Sequence, residues 1–101
     1  MKLALYARVS KALEQNPENQ LKQCQSINEW GEYILVEDKQ SAWKQKERDG
    51  FKSIKKLISS KKIEHIIVWD LDRLERNRKR LIEFFELCKI YGVKIHSYRQ
   101  N

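Results

Sequence analysis

The sequence predicts one α/β domain of three layers, αβα, built on a central, mostly parallel sheet of four or five strands. Three observations predict it. Four short apolar runs alternate with three stretches whose apolar residues recur every three or four positions, the β-α-β-α-β-α-β order of a parallel sheet covered on both faces. The first run is apolar on both sides (Leu3, Leu5 and Val9 on one, Ala4 and Tyr6 on the other), as a doubly covered strand requires. Finally, 101 residues with 41% hydrophobic content fill a single core, and three glycines and one proline leave little material for a linker.

The elements follow in order. Leu3 to Val9 is a strand that ends in Arg8-Val9-Ser10. Beyond a polar loop with Asn16-Pro17, the spacing of Leu21, Cys24 and Ile27 predicts a helix, with Glu18 in its first turn and Gly31 after Trp30 as its stop. Tyr33 to Val36 is the second strand. Asp38 to Asp49 lacks sustained apolar periodicity and reads as a long loop, before a helix with Phe51, Ile54, Leu57 and Ile58 on one face. Ile66 to Trp69 is the third, central strand. Leu81, Phe84, Phe85, Cys88 and Tyr91 stripe the last helix, which stops at Gly92, and Val93 to Tyr98 is the fourth strand.

A net charge of +7 suits a polyanionic partner, although many small proteins are basic. The arginines are more informative. Four of the seven are Arg8, Arg48, Arg73 and Arg76, whereas the fourteen lysines spread along helices and loops as solvating charges do. Cys24 and Cys88 fall within apolar stripes and read as buried free thiols, with no metal-ligand spacing. No segment has the length of a membrane span or the form of a signal peptide, so a cytoplasmic protein is expected.

Ligands of parallel sheets bind outside the carboxyl ends of the strands. Ser10 and the run Asp70-Leu71-Asp72-Arg73 both occupy such ends and come together if the first and third strands are neighbours. Arg8 and Ser10, two apart in a strand, share a face and suit a phosphate. A surface ion pair and a turn or helix cap would explain these two residues as well. Asp72-Arg73-Leu74-Glu75-Arg76 sets two arginines three apart near the start of a longer helix, with Arg78, Lys79 and Arg80 next. Cations there oppose the helix macrodipole unless an anion is bound, or unless Asp70, Asp72 and Glu75 offset them in a solvated charged face. Neither His65 nor His96 belongs to these motifs, and no Ser-His-Asp triad is readable.

Tyr6-Ala7-Arg8-Val9-Ser10 and Asp72-Arg73-Leu74-Glu75-Arg76, in that order and at that separation, resemble the N-terminal catalytic domain of the resolvase/invertase family of serine site-specific recombinases. Gln15 to Gln20 resembles the family's Gln-containing loop into the first helix. Ser41 to Phe51, with Arg48-Asp49-Gly50-Phe51, resembles the segment that carries a further active-site arginine. The resemblance spans essentially the whole chain and implies a resolvase-like fold. It also implies a transesterification without metal or other cofactor, in which Ser10 attacks a DNA phosphodiester to give a 5′-phosphoserine link and a free 3′ hydroxyl. Arg8, Arg73 and Arg76 would contact the scissile phosphate and Arg48 would assist. Asp72 would orient Arg73 or accept a proton, and Gln20 would help place Ser10 or the phosphate.

The implied partner is DNA, in a prokaryotic cytoplasm, with self-association of the full-length protein to a dimer and a synaptic tetramer. Residues 1–101 then correspond to the catalytic domain alone. The family's long dimerisation helix and separate DNA-binding domain lie outside this chain. Two positions depart from the pattern: Ala42 follows Ser41 where glycine is usual, and Glu75 stands where a small residue is common. A noncatalytic module of the same fold, binding DNA or regulating a recombinase, is the alternative. An unrelated phosphate-binding receiver domain ranks last, because the first strand offers Arg8 and Ser10 in place of paired acids.

Overall fold

The computed structural model describes residues 2–10, 17–40, 49–75 and 77–99. The elements are β1 (Leu3–Ser10), α1 (Pro17–Ser26), β2 (Ile34–Gln40), α2 (Asp49–Ser59), β3 (His65–Val68), α3 (Leu71–Leu74), α4 (Arg78–Tyr91) and β4 (Lys94–Ser97). Among the described residues the sheet has four strands in the order β2-β1-β3-β4, every neighbouring pair parallel. The first and third strands are therefore adjacent, as the sequence required for its two motifs to meet.

The two faces of the sheet bury different cores. Ala4, Tyr6, Val36, Ile66 and Val68 point to the face covered by α2 and α4, where they pack with Phe51, Ile54, Ile58, Phe84 and Cys88. Leu3, Leu5, Ile67 and Trp69 point to the other face and pack with Cys24 of α1. Alternation along β1 thus serves both layers, which is why that strand is apolar from Leu3 to Ala7. On α2 the buried positions Phe51, Ile54 and Ile58 form one stripe, and the rings of Phe51 and Phe84 meet at 5.1 Å between α2 and α4. Gly92 closes α4 with φ of 71°, its N–H directed to Lys89, while Val93 N–H reaches Cys88.

Several boundaries differ from expectation, among them β4, which runs from Lys94 to Ser97, one residue shorter at each end. Helix α1 ends at Ser26, not at Trp30. Ile27 and Asn28 turn back on the carbonyls of Cys24 and Gln25, and the Asn28 side chain then binds Trp30 N–H and Gly31 O, so the chain leaves the helix before its glycine. Strand β2 continues past Val36 to Gln40, taking in the first residues of the expected loop. The inward position after Ile34 and Val36 is filled by Asp38, a polar residue with buried partners that hydrophobic periodicity does not register. Arg73 lies on a separate four-residue helix rather than at the start of a longer one. The break follows because Glu75 Oε2 accepts from Asn77 N–H at 3.0 Å and Asn77 Oδ1 accepts from Arg80 N–H at 3.0 Å, making Asn77 the cap of a new helix. Lastly, β3 runs from His65 to Val68, one residue earlier than expected.

Candidate active site

β1 and β2 project beyond β3 at their carboxyl ends. Tyr6 is the last β1 residue in register with β3, at Val68, whereas pairing with β2 continues through Arg8 with Asp38 to Ser10 with Gln40. From Val68 the chain passes through Trp69 and Asp70 into α3, which carries Asp72 and Arg73. The backbone positions of Arg8, Ser10, Asp72 and Arg73 therefore gather at the carboxyl ends of two adjacent parallel strands. Their side chains, and residues Arg48 and Arg76 altogether, lie outside the described residues. Gln20 is 4% exposed, one helical turn before the buried Cys24 and towards the start of α1. That helix end follows the carboxyl end of β1, so Gln20 belongs to the same end of the sheet.

Asp38 is the residue that sequence reasoning missed. Buried at 5% exposure, its carboxylate accepts from Tyr6 Oη at 2.5 Å, Gly50 N–H at 2.7 Å and Phe51 N–H at 3.0 Å. Two of these donors are first-turn amides of α2, which have no partner within the helix and sit at the positive end of its dipole. Asp38 thereby fixes the start of α2, the helix that begins immediately after Arg48, to the strand position paired with Arg8. Gly50 permits this closeness. A Cβ at that position would lie 2.6 Å from Asp38 Cγ. The available signal was the buried Tyr6, whose hydroxyl needs an acceptor.

Other groups define the polarity of this end. Glu75 is 5% exposed, and beside its bond to Asn77 its Oε1 has no partner among the described residues. The first turn of α4 holds Arg78, Lys79 and Arg80 with no acidic residue, so the cationic crowding read from the sequence persists at an actual helix start. Trp69 Nε1 donates to Gln23 Oε1 at 2.6 Å, tying the exit of β3 to α1.

The remaining nucleophiles and bases stand elsewhere. Burial pushes the Cys24 thiol up to about 12 and the Cys88 thiol up to about 11, so neither supplies a thiolate near neutral pH. His65 and His96 meet ring to ring, Nδ1 to Nε2 at 3.1 Å, under the Trp30 indole. They pair in register with Leu3 and, through Ile67, with Leu5. Ser10 lies five residues further along β1, roughly 16 Å at the usual strand rise.

Comparison with known proteins agrees with this arrangement. Residues 3–101 match the family model "Resolvase, N terminal domain". A DNA-invertase of Enterobacteria phage P7 is 33% identical over 92 residues, covering 91% of this chain and 46% of that protein. The chain thus spans about half the length of that relative. Among solved structures, the first ORF in transposon ISC1904 from Sulfolobus solfataricus P2 superposes with a TM-score of 0.76 and 27% identity, over 96% of this chain and 66% of that one. A serine recombinase from Sulfolobus solfataricus gives a TM-score of 0.78 and 28% identity, over 96% and 67% of the two chains.

Proposed function

Since the chain belongs to the resolvase/invertase family of serine recombinases, matching its N-terminal domain over residues 3–101, we propose that it cuts and rejoins DNA strands in site-specific recombination with Ser10 as nucleophile. The observation that carries this reading is the convergence of Arg8 and Ser10, at the end of β1, with the Asp72-Arg73 helix that follows the adjacent β3.

In the forward step Ser10 Oγ forms a bond to phosphorus and the bond from phosphorus to the 3′ oxygen breaks. The serine proton is lost and a proton is gained by the departing 3′ hydroxyl. The product is a 5′-phosphoserine ester, which conserves the bond for religation by a 3′ hydroxyl. Charge builds on the nonbridging oxygens, and guanidinium groups stabilise it without a metal ion. Arginine suits this because its planar fork bridges two oxygens and keeps its proton. Arg8, Arg73 and Arg76 take that role, Arg48 assists from the segment before α2, Asp72 orients Arg73 or accepts a proton, and Gln20 helps place the reacting groups. Assembly into a dimer and a synaptic tetramer, in a prokaryotic cytoplasm, belongs to the same reading of the full-length protein. Apolar Ile82, Phe85 and Ile90, exposed on α4, offer surface for it.

Glu75 favours a second reading, a DNA-binding or regulatory module without cleavage, because a buried carboxylate beside the arginine helix opposes a phosphate. One experiment separates the two. The protein is incubated with recombination-site DNA in chelator, and covalent protein–DNA adducts are resolved on denaturing gels. The recombinase reading expects an adduct that disappears in Ser10→Ala. An adduct persisting in that variant removes Ser10 as nucleophile, and no adduct from the unaltered protein favours the regulatory module. Arg73→Lys, which keeps charge but loses the fork, is expected to lower cleavage at least about 100-fold with little change in DNA affinity.

A further inference from the structure

The lysines look dispersed in the sequence, but the fold gathers four of them. From Gly50 to Ile63 the chain carries Lys52, Lys55, Lys56, Lys61 and Lys62 and no acidic residue, whereas α4 intersperses Glu83 and Glu86 among its cations. Lys52, Lys56, Lys61 and Lys62 are exposed, and among the described residues none of the four has an acidic partner. Lys52 and Lys56 are four apart on one helix and repel. The negative end of the α2 dipole offsets this for Lys56, Lys61 and Lys62, but Lys52 lies in the first turn, where the dipole disfavours a cation. Lys61 also holds φ of 62°, where glycine is the easier residue, in the turn whose N–H groups return to Ile58 and Leu57.

Two of these charges, Lys56 and Lys62, border a groove of about 650 Å³ between α2 and β2, with Ile34, Val36 and Leu57 as its floor and Ser53 also on its rim. Among the described residues no carboxylate lines it. Because β2 is an edge strand, the groove is open along one side of the sheet. Its lining runs from Ser53, in the second turn of α2, to Lys62 beyond that helix, beside Ile34 and Val36 at the start of β2, whereas Lys52 lies in the first turn of α2 at the end that Asp38 holds, and α2 spans about 16 Å between the two. Duplex DNA carries a charge about every 1.7 Å of axis, so several phosphates fit within that span.

We propose that the lysine-bordered edge of α2 and β2 is a second DNA surface, which holds the phosphate backbone flanking the cleavage point and reads no sequence. The proposal rests on the DNA-cutting reading of the Ser10 site, and its test is separable from that reading. Binding of a labelled duplex of arbitrary sequence is followed by anisotropy over a salt series in a Ser10→Ala background. Two sets of substitutions remove equal charge: Lys52→Gln, Lys56→Gln and Lys62→Gln from the edge, and Lys22→Gln, Lys89→Gln and Lys94→Gln from elsewhere.

The edge set is expected to reduce the slope of log K against log salt by about two to three, and the other set by less than about one. Arginine at the three edge positions should restore the slope. Equal reductions from the two sets overturn the proposal, as does an edge set that changes nothing. Adduct formation is measured in parallel on the Ser10 protein. A lysine-dependent slope without any adduct keeps this surface and removes catalysis, whereas an adduct with a lysine-independent slope removes the surface alone.

Discussion

Among the described residues Asp38 accepts from three donors in two parts of the chain, and each would lose that bond with the carboxylate. Buried amides and hydroxyls without acceptors cost about 1–3 kcal/mol apiece. Asp38→Ala is therefore expected to destabilise the fold by about 3–5 kcal/mol in urea denaturation. Tyr6→Phe, which removes one of the three bonds, should cost about 1–2 kcal/mol. The double variant should lose less than the sum, because the Tyr6–Asp38 bond can be removed only once. Strict additivity would disprove the coupling. Gly50→Ala puts a helix-favouring residue into α2, yet its Cβ would lie 2.6 Å from Asp38 Cγ. A net loss of about 1–3 kcal/mol is expected from that collision, and any gain in the midpoint would contradict it. The candidate motifs around Ser10 and the four arginines were conspicuous because their residue types and spacing are uncommon together. Asp38 was not, since an acid following Ile34 and Val36 resembles the end of a strand until the Tyr6 hydroxyl is placed beside it.

At the scale of elements, patterns held wherever one face of a helix or strand is apolar and failed where polar bonds decide the boundary. The stripe of α2, the Leu81, Phe84 and Cys88 positions of α4 and the Gly92 stop were legible for the first reason, whereas Phe85 and Tyr91, expected in the same stripe, are exposed. The break between α3 and α4 was not, because it depends on Glu75 and Asn77 bonding each other's backbone and the helix start. The early end of α1 is similar, and it carries Trp30 onto the two histidines. The hydrogen bond between His65 and His96 needs a donor on one ring and an acceptor on the other, so it is lost when both are protonated. Burial, then His65 and Lys94, hold His96 below its ordinary value, with Glu29 acting the other way. Lys2 and Glu64, paired at 3.6 Å, and Glu32 lie around the same cluster. A histidine depressed in the folded state contributes stability that is complete above its unfolded value of about 6.5 and is lost as pH falls through the folded value. The urea midpoint should accordingly fall between about pH 7 and pH 5, with a change in Trp30 fluorescence, and His96→Gln should flatten that fall. A midpoint with the same pH profile in the variant would exclude the pair as its source.

Across the whole molecule the sheet separates two cores of unequal size. Among the described residues thirteen buried side chains lie on the face covered by α2 and α4, against five on the face covered by α1. The larger layer has more apolar area to lose on opening, so the α1 layer should be the less stable of the two. Each layer holds one buried cysteine, Cys88 in the larger and Cys24 in the smaller. Burial raises both thiols to about 11 and about 12, so neither reacts at neutral pH until its layer opens. Single-thiol variants, Cys24→Ala and Cys88→Ala, permit each layer to be followed separately by timed alkylation in increasing urea. The Cys24 thiol should become reactive at lower urea than the Cys88 thiol. Identical labelling curves would instead mean that α1 opens only with the entire fold, making one cooperative unit of both layers. The outcome bears on function, since Gln20 and the end of α1 lie at the carboxyl end of β1. An α1 that opens alone would leave Ser10 on a stable strand while Gln20 moves relative to the proposed site.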